Sequence, residues 1–381
     1  MFYQAGIREA RVMSEKRRRV LFLFPYTSLS GGGAQRVFST LLRHLDRDRF
    51  ELHLALLRPQ RSEDGEIPAD VTVHDLGTNR TRYTVPLIAK LVRKVRPDTV
   101  ISTLGHMNIA LLLSKCLGLL PRETRVLIRE STTPSVFLKQ GTGHPRIWTA
   151  LYRRLYKRAD AVICLSDSMM KDLSENFRVP REKLVRIYNP VDIATVQRLA
   201  EVGGSPYTDS GPHLVAAGRF FREKGFDLLI DAMPRVLASF PEARLTLLGE
   251  GPLEAELRLQ AKRLTVDHAV IFPGLQQNPW RYLRNARLVI VPSRYDGLPN
   301  VPLEALALGT RVVATDCPGG IREIASADDE ITLVPPEEPK ALADGIISAL
   351  TRPKMDCERP ARLDKFSLQN ALEQYSALFE I

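Results

Sequence analysis

No stretch of this 381-residue sequence reaches the roughly 18 to 20 uninterrupted apolar residues that a spanning helix needs. The longest candidate, Ile109 to Leu120, is broken by Lys115, so a helical integral membrane protein is not expected. The 4 cysteines, Cys116, Cys164, Cys317 and Cys357, are widely separated and form no CxxC pair. That leaves neither a disulfide framework nor a thiolate metal site, and Cys116 and Cys164, in apolar settings, read as reduced core thiols of a cytosolic chain. No His, Cys and Asp cluster has metal-ligand spacing, and there is no internal repeat or low-complexity tract. An export signal is missing too. The basic cluster Lys16 to Arg19 before Val20 to Phe24 imitates the start of one, but Pro25 ends the apolar run far too early. That run reads as a first β-strand; residues before Met13 carry no pattern, and Met13 would make a natural alternative start. A cytoplasmic location is the expectation.

What is present is charge, unevenly distributed. Residues 1–190 hold 33 Lys/Arg against 18 Asp/Glu, a balance of +15, while residues 191–381 hold 21 against 26, a balance of −5. The halves therefore meet different partners. A basic half suits nucleic acid, anionic lipid or a phosphorylated substrate, and composition alone does not choose among them. At 381 residues, with 44% of them hydrophobic, the chain exceeds what one core covers, so two domains are expected.

The apolar pattern alternates between short β-rich runs and helical stretches. Strand Val20 to Phe24 leads through the glycine turn Gly31 to Gly33 into a helix from Ala34 to Leu45. Further strands are read at Leu52 to Leu57, Val71 to Asp75, Thr99 to Ser102, Arg125 to Ile128, Ala161 to Leu165 and Val185 to Tyr188. Helices are read at Val85 to Val95, Ile109 to Leu117 and Ile147 to Arg158. A Gly-, Ser- and Pro-rich break at Glu201 to Gly211 reads as an exposed connection. A second series follows: strands Leu214 to Ala217, Arg244 to Leu248 and Val270 to Phe272, with helices Gly225 to Ser239 and Leu253 to Leu264. This alternation is the signature of α/β doubly wound domains, whose ligands collect at the C-terminal ends of the strands.

One unit of the second series carries chemistry. Strands Leu288 to Val291 and Arg311 to Ala314 are joined by a polar turn and a helix for which Asn300 is a good N-cap, Pro302 suits the first turn and Gly309 suits the C′ position. Free N–H groups at such a helix start attract an anion. Asp296 and Glu304 would repel phosphate and are better suited to accept hydrogen bonds from sugar hydroxyls, unless Glu304 only stabilises its helix's N-terminus. Gly218-Arg219-Phe220-Phe221-Arg222-Glu223-Lys224-Gly225 again joins a strand to a helix. Arg219 offers a planar fork and Lys224 a point charge, the two cation types suited to a diphosphate, although solvated surface charges look the same. The Gly31 to Gly33 turn lets the backbone approach a phosphate, or is a tight turn with no ligand; it lacks the spacing of a dinucleotide fingerprint or a P-loop. His106 and Glu130 follow strands at their C-terminal ends, either as structural residues or as acceptor contacts.

The stretch Ser293 to Thr315 resembles the donor-site motif of the retaining family-4 glycosyltransferases, which have the GT-B fold. In that motif two acidic residues flank seven others. Here they are Asp296 and Glu304, the first being Asp where the family usually has Glu, which shortens the reach by one methylene. Gly-Arg at 218–219 with Lys-Gly at 224–225 matches the family as well, and so does Tyr188-Asn189-Pro190-Val191-Asp192 near the hinge. The resemblance runs from Val20 to Phe379. It implies two Rossmann-like domains facing across a cleft: an acceptor-side domain at 18–192, joined by a C-terminal crossover helix at 366–381, and a donor domain at 212–365.

The implied chemistry is metal-independent and cofactor-free transfer, with retention, of a hexosyl or N-acetylhexosaminyl group. The donor would be a nucleoside-diphosphate sugar, UDP-sugar favoured, and the acceptor a hydroxyl of a lipid-linked saccharide. Arg219, Lys224, Asp296 and His106 are the catalytic candidates. Gly32, Gly33, Arg219, Lys224 and Gly274 would bind the donor, joined by Asp296, Gly297, Leu298, Asn300, Val301 and Glu304, with Glu304 on the ribose. Backbone groups near Pro273 to Leu275 would read the base. Asp46-Arg47-Asp48 spells the DxD of metal-dependent transferases but precedes a strand rather than following one, and Asp328-Asp329 reads as a surface turn. The rival readings are a non-catalytic sugar-nucleotide-binding partner and an epimerase of the same fold. The basic half, with Arg153, Arg154, Lys157 and Arg158 on helix Ile147 to Arg158, is expected to meet an anionic membrane surface at its cytoplasmic side rather than nucleic acid, while that helix's apolar stripe packs on the sheet.

Overall fold

The run Arg18–Phe24 is apolar from Val20 onward with every one of those side chains buried, as a strand covered by helices on both faces must be. It forms β1, and the computed structural model that contains it describes residues 17–25, 33–57, 67–78, 80–141, 144–325, 330–355 and 361–381. The first sheet adds β2 (Phe50–Leu56), β3 (Thr72–Asp75), β4 (Thr99–Thr103), β5 (Arg125–Arg129), β6 (Ala161–Cys164) and β7 (Leu184–Arg186). Its 7 strands run in the order β3-β2-β1-β4-β5-β6-β7, and all pairings are parallel. The second sheet holds β8 (His213–Ala217), β9 (Arg244–Leu248), β10 (Val270–Gly274), β11 (Leu288–Val291), β12 (Val312–Thr315) and β13 (Ile331–Val334). These 6 strands are ordered β10-β9-β8-β11-β12-β13, again all parallel. Both are doubly wound sheets whose order reverses beside the first strand.

Capping explains several helices that the apolar pattern alone did not reveal. Ser166 accepts from the Met169 N–H at 3.1 Å and starts helix Asp167–Phe177; Asp192 accepts from the Thr195 N–H at 3.0 Å and starts helix Ile193–Glu201. Helix Pro134–Gly141 is likewise additional. The last helix, Leu368–Glu380, returns to the first sheet. Its Phe379 ring meets Phe22 and Phe50 edge-on at 6.0 and 5.9 Å, and Arg125 Nη1 donates to its Leu378 carbonyl at 2.7 Å. Beside it the Val191–Ser367 bridge ties the two places where the chain passes between the sheets.

Four expectations change. The helix after β4 is Gly105–Cys116, so His106 sits in a first helical turn, and Cys116 ends that helix exposed to solvent instead of lying in the core. The basic helix is Pro145–Leu155 followed by a 3₁₀ turn at Tyr156–Arg158; Tyr152 and Leu155 pack inward, but Ile147, on its first turn, is exposed. Asn300 is the first residue of helix Asn300–Ala307 and Pro299 holds the N-cap position, with no side chain capping it. Glu304 consequently lies beyond the first turn, where the helix end offers it little. Gly309, with φ 70°, does occupy the left-handed position after the helix. Gly31, Gly32, Cys357 and Asp328-Asp329 fall outside the described residues.

Candidate functional site

Strands β1, β4, β8 and β11 end at the two points where strand order reverses, and a doubly wound sheet opens its crevice there. They lead respectively to Gly33, His106, the Arg219 to Lys224 segment and the loop Ser293 to Asn300. The chain thus brings three of these motifs together, Gly33 against Asn300 and Lys224 against Asp296, while His106 stands at the end of β4 beside the first sheet's reversal.

Across that cleft the backbones nearly touch. A Cβ on Gly297 would stand 2.2 Å from the Ser131 carbonyl oxygen, so only glycine lets the loop after β11 lie against the first domain. Behind it Gly319, at φ 138°, packs so closely that a Cβ would stand 1.7 Å from the Asp296 carbonyl oxygen. Gly320 N–H donates to the Gly297 carbonyl at 2.8 Å and Asp296 N–H to Pro318 at 3.1 Å, which pins the loop from the second domain's side.

Side chains complete the arrangement. Lys224 Nζ donates to Asp296 Oδ2 at 2.6 Å, and the other carboxylate oxygen accepts the Gly297 N–H at 2.9 Å. Glu304, nearly buried, pairs its Oε1 with Arg36 of helix Gly33–His44 at 2.6 Å. Arg219 is half exposed, with its guanidinium carbon 4.9 Å from the centre of the Phe221 ring and 3.8 Å separating its Nη2 from Glu223 Oε1. Leu298 is buried and Val301 half buried against the core, while Gly274 ends β10 and its carbonyl accepts the Gly249 N–H at 3.1 Å. A cavity of about 140 Å³ adjoins Arg36, Pro190, Trp280, Asn300 and Glu304. A shallower groove of about 560 Å³ lies beyond Gly319, between Ser135, Lys171 and Arg322.

Several contributors were not anticipated. Arg294 forks both oxygens of Asp227 at 2.7 and 2.8 Å, holds Glu337 at 2.9 Å and donates to the Arg222 carbonyl at 2.9 Å, clamping its own loop, which carries Asp296, to the one that carries Lys224. Burial pushes the Asp227 carboxyl upward and the Arg294 hydrogen bonds more than reverse this, leaving it below its ordinary value. Asn189 bridges the domains: it donates to the Leu298 carbonyl at 3.0 Å and to Asn300 Oδ1 at 2.9 Å, and accepts from Arg129 Nη2 at 2.5 Å. Glu323 accepts from the Asp167 N–H at 2.7 Å and from the Tyr188 hydroxyl at 2.9 Å. All of these join residues far apart in sequence, and no local pattern signals them.

On the first domain, His106 shows its surface to solvent yet has protein on most sides, and that desolvation lowers its pKa below the ordinary imidazole value. Glu130 follows β5 and is buried. Burial pushes its carboxyl up to about 7, opposed by hydrogen bonds from Tyr156 and from Asn108, the latter at 3.0 Å. Asp46-Arg47-Asp48 is a turn closed by the Asp48 N–H on Asp46 Oδ1 at 2.8 Å, and the described residues contain no group of three His, Cys, Asp or Glu able to hold a metal.

This architecture of two facing doubly wound sheets is the GT-B fold. A sucrose-phosphate synthase from Thermosynechococcus elongatus superposes over 96% of this chain and 98% of its own with a TM-score of 0.79 at 18% identity. Anabaena HepE, solved with UDP and glucose, superposes over 96% and 100% with a TM-score of 0.74 at 20% identity. Residues 31–195 match the profile of Glycosyltransferase Family 4 and residues 204–367 that of Glycosyl transferases group 1. The N-acetylgalactosamine-N,N'-diacetylbacillosaminyl-diphospho-undecaprenol 4-alpha-N-acetylgalactosaminyltransferase of Campylobacter jejuni is 30% identical over 349 residues, 88% of this chain and 91% of that enzyme. The chain belongs to the family-4 type of GT-B glycosyltransferases.

Proposed function

We propose that the protein transfers, with retention, a hexosyl or N-acetylhexosaminyl group from a nucleoside-diphosphate sugar, UDP-sugar by preference, to a hydroxyl of a diphosphate-linked lipid saccharide. The carrying observation is the convergence of Lys224, Asp296, Asn300 and Glu304 at the crevice of the second sheet, with Gly33 of the first domain beside Asn300. The Campylobacter relative's name supports a lipid-diphosphate saccharide as acceptor and an α-linked product.

In this reading Arg219, Lys224 and the first turn of helix Asn300–Ala307 neutralise the departing diphosphate, and no metal or other cofactor is required. Glu304 takes the ribose hydroxyls, exchanging Arg36 for them. Asp296 holds Lys224 toward the phosphates and meets the sugar, and the leaving phosphate assists front-face attack. His106, whose desolvation favours the neutral imidazole, accepts or shares the acceptor proton. Gly274 and Leu275 place backbone groups beside the base. Among the described residues no helix is long and apolar enough to cross a membrane. The exposed Arg153, Arg154, Lys157 and Arg158 supply a surface for reversible attachment to an anionic bilayer.

The test is a thermal-shift panel of UDP, GDP, ADP and their sugars. A ligand at 100 times its Kd adds about 2.7 kcal/mol of stability, so a bound nucleotide is readily seen. A shift with one base and its sugars is expected, and no shift with any of them would overturn the reading.

A further inference from the structure

Arg129 is buried at the end of β5, and an arginine guanidinium can only donate hydrogen bonds. Its Nη2 meets the side chain of Asn189 at 2.5 Å, so Asn189 must turn its carbonyl oxygen toward Arg129. The Asn189 amide nitrogen then faces the other way, where it meets the Leu298 carbonyl at 3.0 Å. A backbone carbonyl only accepts, so the orientation of Asn189 is set independently at both ends. That same nitrogen donates to Asn300 at 2.9 Å, and Asn300 must therefore offer its own oxygen to Asn189. What remains for Asn300 is to point its NH₂ group into the cleft. It does: the position of a Cβ on Gly33 lies 3.7 Å from Asn300 Nδ2, and glycine leaves that space open.

We infer that Arg129 and Asn189 are positioning residues that set the polarity of Asn300, so that a hydrogen-bond donor rather than a carbonyl faces the diphosphate of the donor substrate. The inference rests on the proposed function, which places the diphosphate between Gly33 and the start of helix Asn300–Ala307. Neither Arg129 nor Asn189 touches substrate in this account. The chain of amides carries a direction from the first domain's sheet into the second domain's anion site, and the side chain of Asn300 serves this chain instead of capping its own helix. Reversing any link would turn the Asn300 carbonyl toward the phosphate oxygens, where like partial charges repel.

Two substitutions reverse it in different ways. Asn189→Asp still accepts from Arg129 but can no longer donate, so Asn300 must rotate and donate to the new carboxylate. Asn300→Asp keeps its acceptor toward Asn189 while placing a second carboxylate oxygen on the Gly33 side. The full-length protein and both variants are titrated with UDP and with uridine, which lacks the diphosphate, and GDP with guanosine and ADP with adenosine are run in parallel. Both variants should lose about tenfold to a hundredfold in affinity for the diphosphate, the worth of one charge-assisted hydrogen bond, with nucleoside affinity within about threefold of wild type by the same conversion. An unchanged diphosphate-to-nucleoside ratio in either variant overturns the inference, and so does an equal loss of both ligands, which marks a merely structural role. Should Asn189→Asp not fold, Asn189→Ala replaces it: it frees Asn300 to present either end, so a smaller loss, still confined to the diphosphate, is expected, and an unchanged diphosphate-to-nucleoside ratio overturns the inference as before. Failure of the wild type to bind any of the three diphosphates would instead overturn the proposed function, and this inference with it.

Discussion

Arg36 of the first domain and Glu304 of the second form an ion pair at 2.6 Å across the cleft, the arginine half exposed and the carboxylate nearly buried. The asymmetry matters. Arg36 loses little if its partner goes, because water is at hand, whereas Glu304 has been desolvated and depends on whatever the cleft brings to it.

Glu304→Ala should therefore change folding stability by no more than about 1 kcal/mol, the scale of a half-exposed pair. Donor binding should fall roughly tenfold to a hundredfold with the loss of hydrogen bonds between the ribose and a charged acceptor. Urea denaturation and nucleotide titration measure the two separately. A variant with unaltered nucleotide affinity would remove Glu304 from the ribose.

The Lys224 and Asp296 pair behaves differently because, in the proposed reading, both ends meet the donor. Lys224→Ala leaves a mostly buried carboxylate next to the proposed diphosphate position without its cation, and turnover should fall by about 10² or more. Adding Asp296→Asn removes the stranded charge. The double variant should regain stability and nucleotide affinity relative to Lys224→Ala but not turnover. Near-normal turnover in the single variant would show that Lys224 does not serve the leaving group.

Glu130 gives a pH signature. Its folded pKa of about 7 stands above the ordinary value of 4.5, so between those values the folded chain keeps a proton that the unfolded chain has released. Stability should fall as pH rises through this window and level off above it, by an amount on the order of a few kcal/mol. Glu130→Gln should lack that component. Melting temperatures from about pH 4.5 to 8, spanning both values, check this, and parallel curves for the two proteins would contradict it.

Co-sedimentation with vesicles examines the basic face. Each Lys or Arg near an anionic surface contributes about 1 kcal/mol, so binding to anionic vesicles should appear at low salt and vanish at high salt. Neutralising Arg153, Arg154, Lys157 and Arg158 together should abolish it. Equal binding to neutral vesicles, or no loss in the variant, would exclude this surface.

Local pattern made much of this molecule legible. Parallel strands buried on both faces read as continuous apolar runs, and β9 and β11 fall where Arg244 to Leu248 and Leu288 to Val291 read as strands. The loops carrying Lys224 and Asp296 were visible because a strand ends, polar and glycine residues intervene and a helix begins. What stayed hidden crosses between the domains. Asn300 has the sequence of an N-cap, yet Asn189, more than a hundred residues away, claims its oxygen. Nothing local marks Arg294, and only the folded chain brings Asp227 and Glu337 around it. Helix Asp167–Phe177 carried its signal openly in Ser166 and in Met169, Leu173 and Phe177, which are all buried.

The most direct measurement is a transfer assay with purified protein, UDP-hexoses and UDP-N-acetylhexosamines, polyprenyl-diphosphate-linked saccharides as acceptors, and excess chelator throughout. UDP should be released only when acceptor is present, with an acceptor heavier by one sugar joined in the α configuration. Conversion of the sugar nucleotide without acceptor, or activity that appears only when Mn²⁺ or Mg²⁺ is restored, would contradict the proposed transfer.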